Sequence, residues 1–439
     1  MVHIKAKIIE ILLMVILLLF VTSESGFGEL TRLYDPIVIK GDKIGITGPI
    51  SRFACLAINK GSLKPIPFQI DERDVSGDLV FQQGPMKIWQ DEPPGIFDSN
   101  DDFVIMASDL GERAKHSALK QITGDIRQIS VTDPITGQSL FAYVILTPES
   151  MPPIPKPSGL ISYNPAKGLV ETPFYIAGFD DPMNPAVFNT YLVKSKGGGK
   201  DVNLLDRLKV RLNIGFVFGT IQYKWNEQES MSIVKGWSEG PVRCIRRMAY
   251  SPKIIGGIPM PALDLDSMFY LRMATVEVSS FVPIDIGFGI SDVSLNFILD
   301  MASAAKGMRV FWDKNPDGFI IDGSQTQLKQ IKNAPMFKWV VFSGEQGTFL
   351  VRAFPDPSLN VETEMIFQDD RTMEDPPEKD LGLMGAIGLS VKNIRELKGK
   401  IVKYRFELYQ LPSASHDAII NALAVRDEPL IVGVSEIRM

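Results

Sequence analysis

Residues 207–218 run Arg-Leu-Lys-Val-Arg-Leu-Asn-Ile-Gly-Phe-Val-Phe, and this stretch decides the fold class. Cationic and apolar side chains alternate in its first half. This is the pattern of a β-strand, because successive strand side chains point to opposite faces of a sheet. Aromatic and β-branched residues in its second half also favour a strand. We therefore expect a strand through Leu208–Phe218, with Arg207, Lys209 and Arg211 on one face.

Comparable runs of strand length recur along the chain and are separated by Gly, Pro, Asn and Asp. They include Ile37–Lys40, Phe53–Ile58, Asp102–Ala107, Ile126–Val131, Leu140–Leu146, Pro241–Tyr250, Met308–Trp312 and Ile401–Leu411. Helical patterns are scarce: one short helix is expected after Ser324, and another over Asp417–Ala424. The sequence therefore predicts a mainly all-β protein with few short helices.

Six prolines between positions 148 and 165 divide the chain. A proline-rich segment is extended and stiff, so residues 151–167 are predicted to be a linker. Residues 29–150 contain short, regularly spaced strands, which predicts an immunoglobulin-like β-sandwich domain. Residues 168–439 contain longer strands and predict a larger β-sandwich or barrel domain.

The N-terminus has the pattern of a secretory signal peptide. Lys5 and Lys7 precede an uninterrupted apolar run, Ile11–Val21, and small residues follow that run. A membrane span needs about 20 apolar residues, so the shorter run favours a signal peptide over residues 1–28. An uncleaved anchor is the alternative, since apolar residues also precede Glu10. We expect an exported protein, periplasmic or extracellular, that is soluble once the signal is removed.

Composition excludes several classes of protein. The 439 residues include three histidines and two cysteines, and the formal net charge is −6. These numbers do not suit a histidine-rich zinc enzyme or a disulfide scaffold, and no basic excess points to nucleic acid. Cys55 and Cys244 are the one pair able to form a disulfide after export. Two separate buried thiols are the alternative.

Basic residues recur in a second predicted strand, which contains Arg243 and Arg247. Two such strands side by side would form a cationic patch, and arginine binds carboxylates or sulfates through two parallel hydrogen bonds. The patch predicts binding of an anionic polysaccharide. Its candidate residues are Arg207, Lys209, Arg211, Arg243 and Arg247. The alternative is a solvated sheet face whose cations pair with local Asp and Glu.

Residues 313–318, Asp-Lys-Asn-Pro-Asp-Gly, match the first six positions of a calcium-binding loop. Calcium takes about six to eight oxygen ligands, which alternating Asp and Asn side chains supply. The candidate calcium ligands are Asp313, Asn315, Asp317 and Asp322. Ser324 replaces the usual Glu at position 12 and the flanks resemble strands, so the loop is not an EF-hand. A hairpin turn without metal is the alternative.

Tryptophan side chains are candidates for stacking on a sugar ring. Trp312 is the foremost candidate, because it directly precedes the predicted calcium loop. The other four tryptophans are Trp89, Trp225, Trp237 and Trp339. Each of the five is as well suited to a core or rim position.

Three further acidic segments have weaker patterns. Residues 98–102, Asp-Ser-Asn-Asp-Asp, resemble the calcium loop of a dockerin with Asp109 at position 12, but Phe103 replaces its glycine. A turn entering a strand is the alternative. Residues 69–74, Gln-Ile-Asp-Glu-Arg-Asp, predict a salt-bridged strand end rather than a pair of catalytic carboxylates, because neighbouring strand side chains point to opposite faces and would not share one site. The stretch Asp369–Asp380 predicts an exposed loop.

No motif identifies a reaction. A Walker A loop and a dinucleotide-binding fingerprint are absent from the sequence. His116 and His416 are isolated, which disfavours histidine-based catalysis. We favour an exported, non-catalytic protein that binds a polysaccharide or a surface protein. The alternatives are a carbohydrate-active enzyme of the lyase or mutarotase type, and a structural subunit of a surface complex.

Overall fold

The computed structural model describes most of the chain after the predicted signal peptide. The described residues are 32–81, 83–85, 93–180, 184–216, 221–254, 258–259, 263–281, 290–324, 337–355, 362–392 and 401–437. The signal peptide predicted over residues 1–28 lies outside them, as does the short helix predicted after Ser324. Within these residues, no helix is both long and apolar enough to cross a membrane.

The first part of the structure contains the strands of residues 36–146 and the last strand of the chain, residues 431–436, and its sheets are antiparallel. The three-stranded sheet contains, in spatial order, β1 (Pro36–Lys40), β7 (Asp102–Met106) and β5 (Gln69–Asp71). The five-stranded sheet contains β29 (Ile431–Glu436), β8 (Asp125–Thr132), β9 (Ser139–Leu146), β3 (Phe53–Asn59) and β4 (Ser62–Pro65). A small ribbon pairs β2 (Gly48–Pro49) with β6 (Ile96–Phe97). Inward-facing apolar residues of these sheets, among them Phe53, Phe103 and Ile129, form one core.

The second part contains longer strands. A four-stranded sheet is ordered β10 (Ser162–Asn164), β11 (Leu169–Glu171), β12 (Tyr175–Asp180), β13 (Asn184–Val193). A five-stranded sheet is ordered β15 (Ile221–Asn226), β14 (Leu205–Phe216), β21 (Ile290–Met301), β27 (Leu383–Lys392), β26 (Glu362–Asp370).

The largest sheet runs through most of the second part. Its order is β16 (Ser230–Glu239), β17 (Arg243–Ile254), β19 (Leu263–Tyr270), β20 (Met273–Phe281), β28 (Ile401–Leu411), β25 (Gly347–Pro355), β24 (Val340–Gly344), β22 (Arg309–Trp312), β23 (Asn315–Ile320). The short β18 (Ile258–Pro259) pairs with β17. An open sheet of this length has two faces to cover. Its apolar side chains pack against the four-stranded sheet and against the five-stranded sheet that contains β14.

The helices are short. They are α1 (Gly41–Ile44), α2 (His116–Leu119) and α3 (His416–Asp427). The 3-10 turns are Ile50–Arg52, Ala107–Asp109, Ser195–Gly197 and Ser303–Ala305. The Ser415 hydroxyl caps α3 by accepting from the N–H of Ala418, which confirms the helix expected near Asp417–Ala424.

The two parts are joined by more than the proline segment. The last strand, β29, pairs with β8, so residues 431–436 lie in the first part although they end the sequence. A shared core contains Tyr34, Val104 and Met106 from the first part with Val341 and Leu350 from the second. The division at 151–167 stays a prediction, and β10 already begins at Ser162 inside that range.

The all-β fold class with few short helices is confirmed, and the strand over residues 208–218 is described as β14 up to Phe216. The immunoglobulin-like character of the first part stays a prediction. Cys55 and Cys244 are free and buried in different core clusters, as the two-thiol alternative predicts. Burial raises the pKa of both thiols well above the usual range.

Candidate functional site

The cations of β14 lie on one face of their strand and are buried. Arg207 pairs with Glu227 and Asp180, while Arg211 pairs with Glu227 and also contacts the carboxylate of Asp375. Buried charges need such partners because their removal from water is costly. These arginines are therefore neutralised by carboxylates of the protein, and the solvated-face alternative is wrong about their exposure.

Lys209 is completely buried at the centre of this face. Its ammonium lies 2.9 Å from Asp300 Oδ2 and 3.0 Å from Glu378 Oε1, and it donates to the carbonyl of Asp375 at 2.9 Å. Burial works to lower the pKa of Lys209, but the carboxylates of Asp300, Glu378 and Asp375 together outweigh it and the pKa is raised. Lys209 thus remains charged at neutral pH.

Two segments that the sequence treated separately meet at this point. The loop of residues 371–382, here called the acidic loop, supplies Asp375 and Glu378 to the cations of β14. The backbone N–H groups of Lys379 and Asp380 donate to the carboxylate of Asp206, also on β14. The exposed loop expected over Asp369–Asp380 is therefore wrong in part, since this segment begins inside β26 and its later residues dock on the sheet.

The arginines of β17 also have internal partners. Arg243 donates to Asp71 Oδ2 through Nε at 2.9 Å, and to the Tyr270 hydroxyl at 3.0 Å. Arg247 binds Asp266 at 2.7 Å. The Arg243–Asp71 pair fastens β17 to the first part, and it confirms the salt-bridged strand end predicted for residues 69–74.

Trp312 is a core residue. It is 2% exposed and packs 5.9 Å from the Phe319 ring, centroid to centroid. Its indole therefore offers no open face to solvent in this structure.

The predicted calcium loop forms the tight hairpin between β22 and β23, in which Trp312 pairs with Asn315. Asp313 Oδ1 accepts from the N–H of Lys338, Asn315 Oδ1 accepts from that of Gly318, and Asp322 Oδ1 accepts from that of Ser324. The side chains of Asp313, Asn315 and Asp322 therefore accept hydrogen bonds from the backbone.

Among the described residues, no three His, Cys, Asp or Glu side chains group as a metal site requires. Calcium binding by Asp313, Asn315, Asp317 and Asp322 stays a prediction. In the second acidic segment, Asp102 pairs with Lys40 and Arg73, each at 2.7 Å, and Asp98 Oδ1 accepts from the N–H of Asn100. That segment is a turn entering β7.

A cleft of about 460 Å³ lies where the first part meets β16 and β17. Its apolar wall is formed by Ile70, Leu79, Val80, Phe81 and Ile245. Its polar lining comes from both parts and consists of Ser51, Asp71, Glu72, Gln83, Trp237, Ser238 and Glu239. Clefts of this size at the junction of two units are common sites for small ligands.

Trp237 reaches the cleft because β16 contains a bulge before it. The register with β17 shifts between Val234 and Gly236, and a bulge changes the direction in which the following side chains point. Gly236 is required there, since a Cβ would lie 2.8 Å from Cβ of Phe81. The N–H of Trp237 donates to the Gln83 carbonyl at 3.1 Å, which fixes β16 against the first part.

Tyr163 positions both Trp237 and Glu239. Its ring packs edge-on against the Trp237 indole at 5.4 Å, and its N–H donates to Glu239 Oε1 at 2.6 Å. Arg246 Nε in turn donates to the Tyr163 hydroxyl at 3.1 Å. The aromatic ring and the carboxylate are therefore held together at the end of β16.

Glu72 lines the same cleft and belongs to the first part. It follows β5, and its Oε1 accepts from the N–H of Gly95. Neighbouring Asp71 is engaged by Gln69 and Arg243, so its carboxylate has a cationic partner. Glu72 and Glu239 are thus two glutamates, from different parts of the chain, that line one cleft with a half-buried tryptophan.

The sequence did not single out this site. Trp237 was one of the four tryptophans ranked behind Trp312, and Glu72 was assigned to a salt-bridged strand end. A local signal was available, since Trp237-Ser238-Glu239 ends directly before the turn residues Gly240-Pro241. Neither His116 nor His416 lines the cleft.

No known family model matches the chain, and no curated protein is significantly similar to it. Solved structures with some similarity include an alpha-mannosidase from Enterococcus faecalis V583, with a TM-score of 0.43, 8% identity and coverage of 92% of this chain and 45% of that one. A heparinase III has a TM-score of 0.28 and 9% identity, covering 60% and 38%. A glycosyl hydrolase of family GH92 has a TM-score of 0.23 and 10% identity, covering 57% and 30%.

This chain therefore spans less than half the length of each of these proteins. All three TM-scores lie below 0.5, so the function of this chain has to follow from its own cleft.

Proposed function

We propose that this chain is an exported, non-catalytic β-sandwich protein that binds a carbohydrate in the cleft between its two parts. The observation that carries the proposal is the placement of Trp237 beside Ser238, Glu239 and Glu72. A sugar ring has an apolar face that stacks on an indole and hydroxyls that donate to carboxylates. Export is proposed from the signal peptide expected over residues 1–28.

The predicted preference for an anionic glycan is not what this cleft favours. Arg207, Lys209 and Arg211 are buried against carboxylates, and Arg243 is held by Asp71. Carboxylates lining the cleft repel a polyanion. A neutral or cationic saccharide fits better.

A carbohydrate-active enzyme is the second candidate, and one observation favours it. Two carboxylates, Glu72 and Glu239, line the same cleft. A glycosidase uses such a pair as general acid and as base or nucleophile.

The test is isothermal titration calorimetry with a panel of soluble oligosaccharides, followed by chromatography of the same mixtures. We expect binding by the wild type and at least a tenfold loss for Trp237→Ala, because stacking is removed. Trp237→Phe should retain part of the affinity. Glu345→Gln, which changes an exposed carboxylate paired with Lys200, is the control and should bind normally.

Absence of binding to every saccharide would overturn the proposal. Release of shorter products by the wild type but not by Glu72→Gln or Glu239→Gln would replace binding by catalysis. A thermal melt of each variant separates loss of the site from loss of the fold.

A further inference from the structure

Gln69 bridges the two parts beside the cleft. It belongs to β5, is 5% exposed, and is not among the described residues that line the cleft. Its amide nitrogen donates to Asp71 Oδ1 at 2.6 Å, and its amide oxygen accepts from the N–H groups of Val242 and Arg243 at 3.3 and 3.0 Å. One buried side chain of the first part therefore binds a lining carboxylate with one end of its amide and the backbone of the second part with the other.

Arg243 closes these contacts into a ring of hydrogen bonds. Its guanidinium donates to Asp71 Oδ2 through Nε at 2.9 Å, and its Nη2 lies 2.7 Å from the same oxygen. Gln69 therefore holds the backbone N–H of Arg243 while Asp71 holds its side chain. Displacing this network would leave buried polar groups unpaired, which costs free energy, so the network fixes the position of β17 relative to β5.

The turn that Gln69 binds follows the cleft residues of β16 directly. Strand β16 ends at Glu239, and β17 begins at Arg243. The N–H of Gly240 donates to the carbonyl of Arg243 at 3.1 Å, which closes the turn. A Cβ on Gly240 would lie 2.0 Å from Oε1 of Gln69, so glycine is what lets the turn approach the amide this closely. Trp237 and Glu239 therefore stand directly before a turn that Gln69 fixes.

We infer that Gln69 is a positioning residue for the cleft, which holds the end of β16 so that Trp237 is in place to stack on a saccharide. Its role toward a saccharide rests on the proposed carbohydrate-binding function, whereas the position of Trp237 is measurable without a ligand. An amide suits this role because it donates and accepts at once. Asp71 requires a donor, and the N–H groups of Val242 and Arg243 require an acceptor.

The first measurement is acrylamide quenching of tryptophan fluorescence without ligand. Gln69→Leu removes both functions of the amide, so we expect a larger quenched fraction than in the wild type. The same change made together with Trp237→Phe should not alter quenching, which assigns the signal to Trp237. Gln410→Leu is the matched control, because Gln410 is also buried, does not line the cleft, and donates to the carbonyls of Gly197 and Leu411. It should lower the melting temperature and leave the quenching of Trp237 unchanged.

Gln69→Glu is a variant that a change of pH should rescue. At about pH 8 its carboxylate would face that of Asp71 without a proton to donate, so quenching should increase as in Gln69→Leu. At about pH 5 a proton shared between the two carboxyl groups restores the donor, and quenching should return to the wild-type value. The wild type at each pH is the reference, since the other ionisable groups near this contact are the same in both proteins. They are Arg243, Tyr270, Asp102 and Cys244.

Calorimetry with the same oligosaccharide panel connects this position to binding. A saccharide that the wild type binds should bind roughly tenfold more weakly to Gln69→Leu, the size of one lost buried hydrogen bond, and normally to Gln410→Leu. Equal affinity of Gln69→Leu and the wild type would overturn the inference and leave carbohydrate binding intact.

The quenching results decide the inference when no saccharide binds. Wild-type quenching in both Gln69→Leu and Gln69→Glu at about pH 8 would overturn it. If Gln69→Leu does not fold, Gln69→Glu decides alone, because it has to match the wild type at the lower pH and differ from it at the higher one. A Trp237 response without saccharide binding by the wild type would support the positioning role and overturn the proposed function instead.

Discussion

The ammonium of Lys209 lies 2.9 Å from Oδ2 of Asp300, and neither side chain is exposed to solvent. Lys209 belongs to β14 and Asp300 to β21, so the pair joins two neighbouring strands of the five-stranded sheet. Glu378, in the acidic loop, also pairs with Lys209, and its Oε1 lies 3.0 Å from the same ammonium. This ion cluster therefore ties the acidic loop to the sheet rather than offering cations to a ligand.

Replacing Lys209 by Met should destabilise the protein strongly. Met has similar volume but no charge, so Asp300, Glu378 and Asp375 would lose their shared cation while remaining near one another. Loss of one partner from a buried ion pair costs about 3–5 kcal/mol. Urea denaturation followed by circular dichroism measures the free energy of unfolding.

Lys200→Met is the matched control, because Lys200 pairs with Glu345 at the surface. An exposed pair contributes about 0–1 kcal/mol, so the control should unfold near the wild type. Equal loss of stability in the two variants would contradict a structural role specific to Lys209.

The pH dependence of stability should contain a contribution from Asp109. Burial raises its pKa from the usual 3.8 to about 6. Between these values the folded protein holds a proton that the unfolded chain has released, so the contribution is complete at low pH and is lost as pH rises through about 6. Asp109→Asn should remove this contribution.

The wild type should therefore lose about 1–2 kcal/mol more than Asp109→Asn between about pH 4 and pH 7. Denaturation curves at several pH values measure the difference. Glu345→Gln again controls for the loss of one negative charge. Parallel pH profiles for wild type and Asp109→Asn would show that Asp109 titrates normally.

The fold class followed from local patterns, whereas the pairing of distant segments did not. Alternation in β14 predicted its strand and placed Arg207, Lys209 and Arg211 on one face, because the period of two is set by the backbone. The same pattern could not show which face is buried. The partners of Lys209, Asp300 and Glu378, lie far along the chain, and the sheet order and the docking of the acidic loop bring them together.

The residues that line the cleft could not be predicted from the sequence, for a related reason. Glu72 and Glu239 belong to different predicted domains, and their shared place in one cleft depends on how β16 packs on the first part. The bulge before Trp237 also has no local signature except Gly236. The strand end at residues 69–74 was predicted correctly, yet the prediction did not show that Asp71 and Glu72 also line the cleft.

The last prediction concerns β29, which returns from the second part to pair with β8. Val434 lies opposite Ile129 and packs against the core of the first part. Ile431 belongs to the same strand but is 61% exposed. Val434→Asp would place a carboxylate against that core and should cost roughly 1–3 kcal/mol, since a buried polar group without a partner is unfavourable.

Ile431→Asp provides the comparison within one strand, and a surface substitution of this kind changes stability by about 0.5 kcal/mol or less. Both variants should be measured by urea denaturation with two probes: tryptophan fluorescence, to which four of the five tryptophans contribute from the second part, and far-ultraviolet circular dichroism, which reports the whole chain. Because β29 links the two parts, we expect Val434→Asp to shift both probes to lower urea together. A shift of equal size in Ile431→Asp would mean that the strand contributes through its backbone pairing and not through the core contact of Val434.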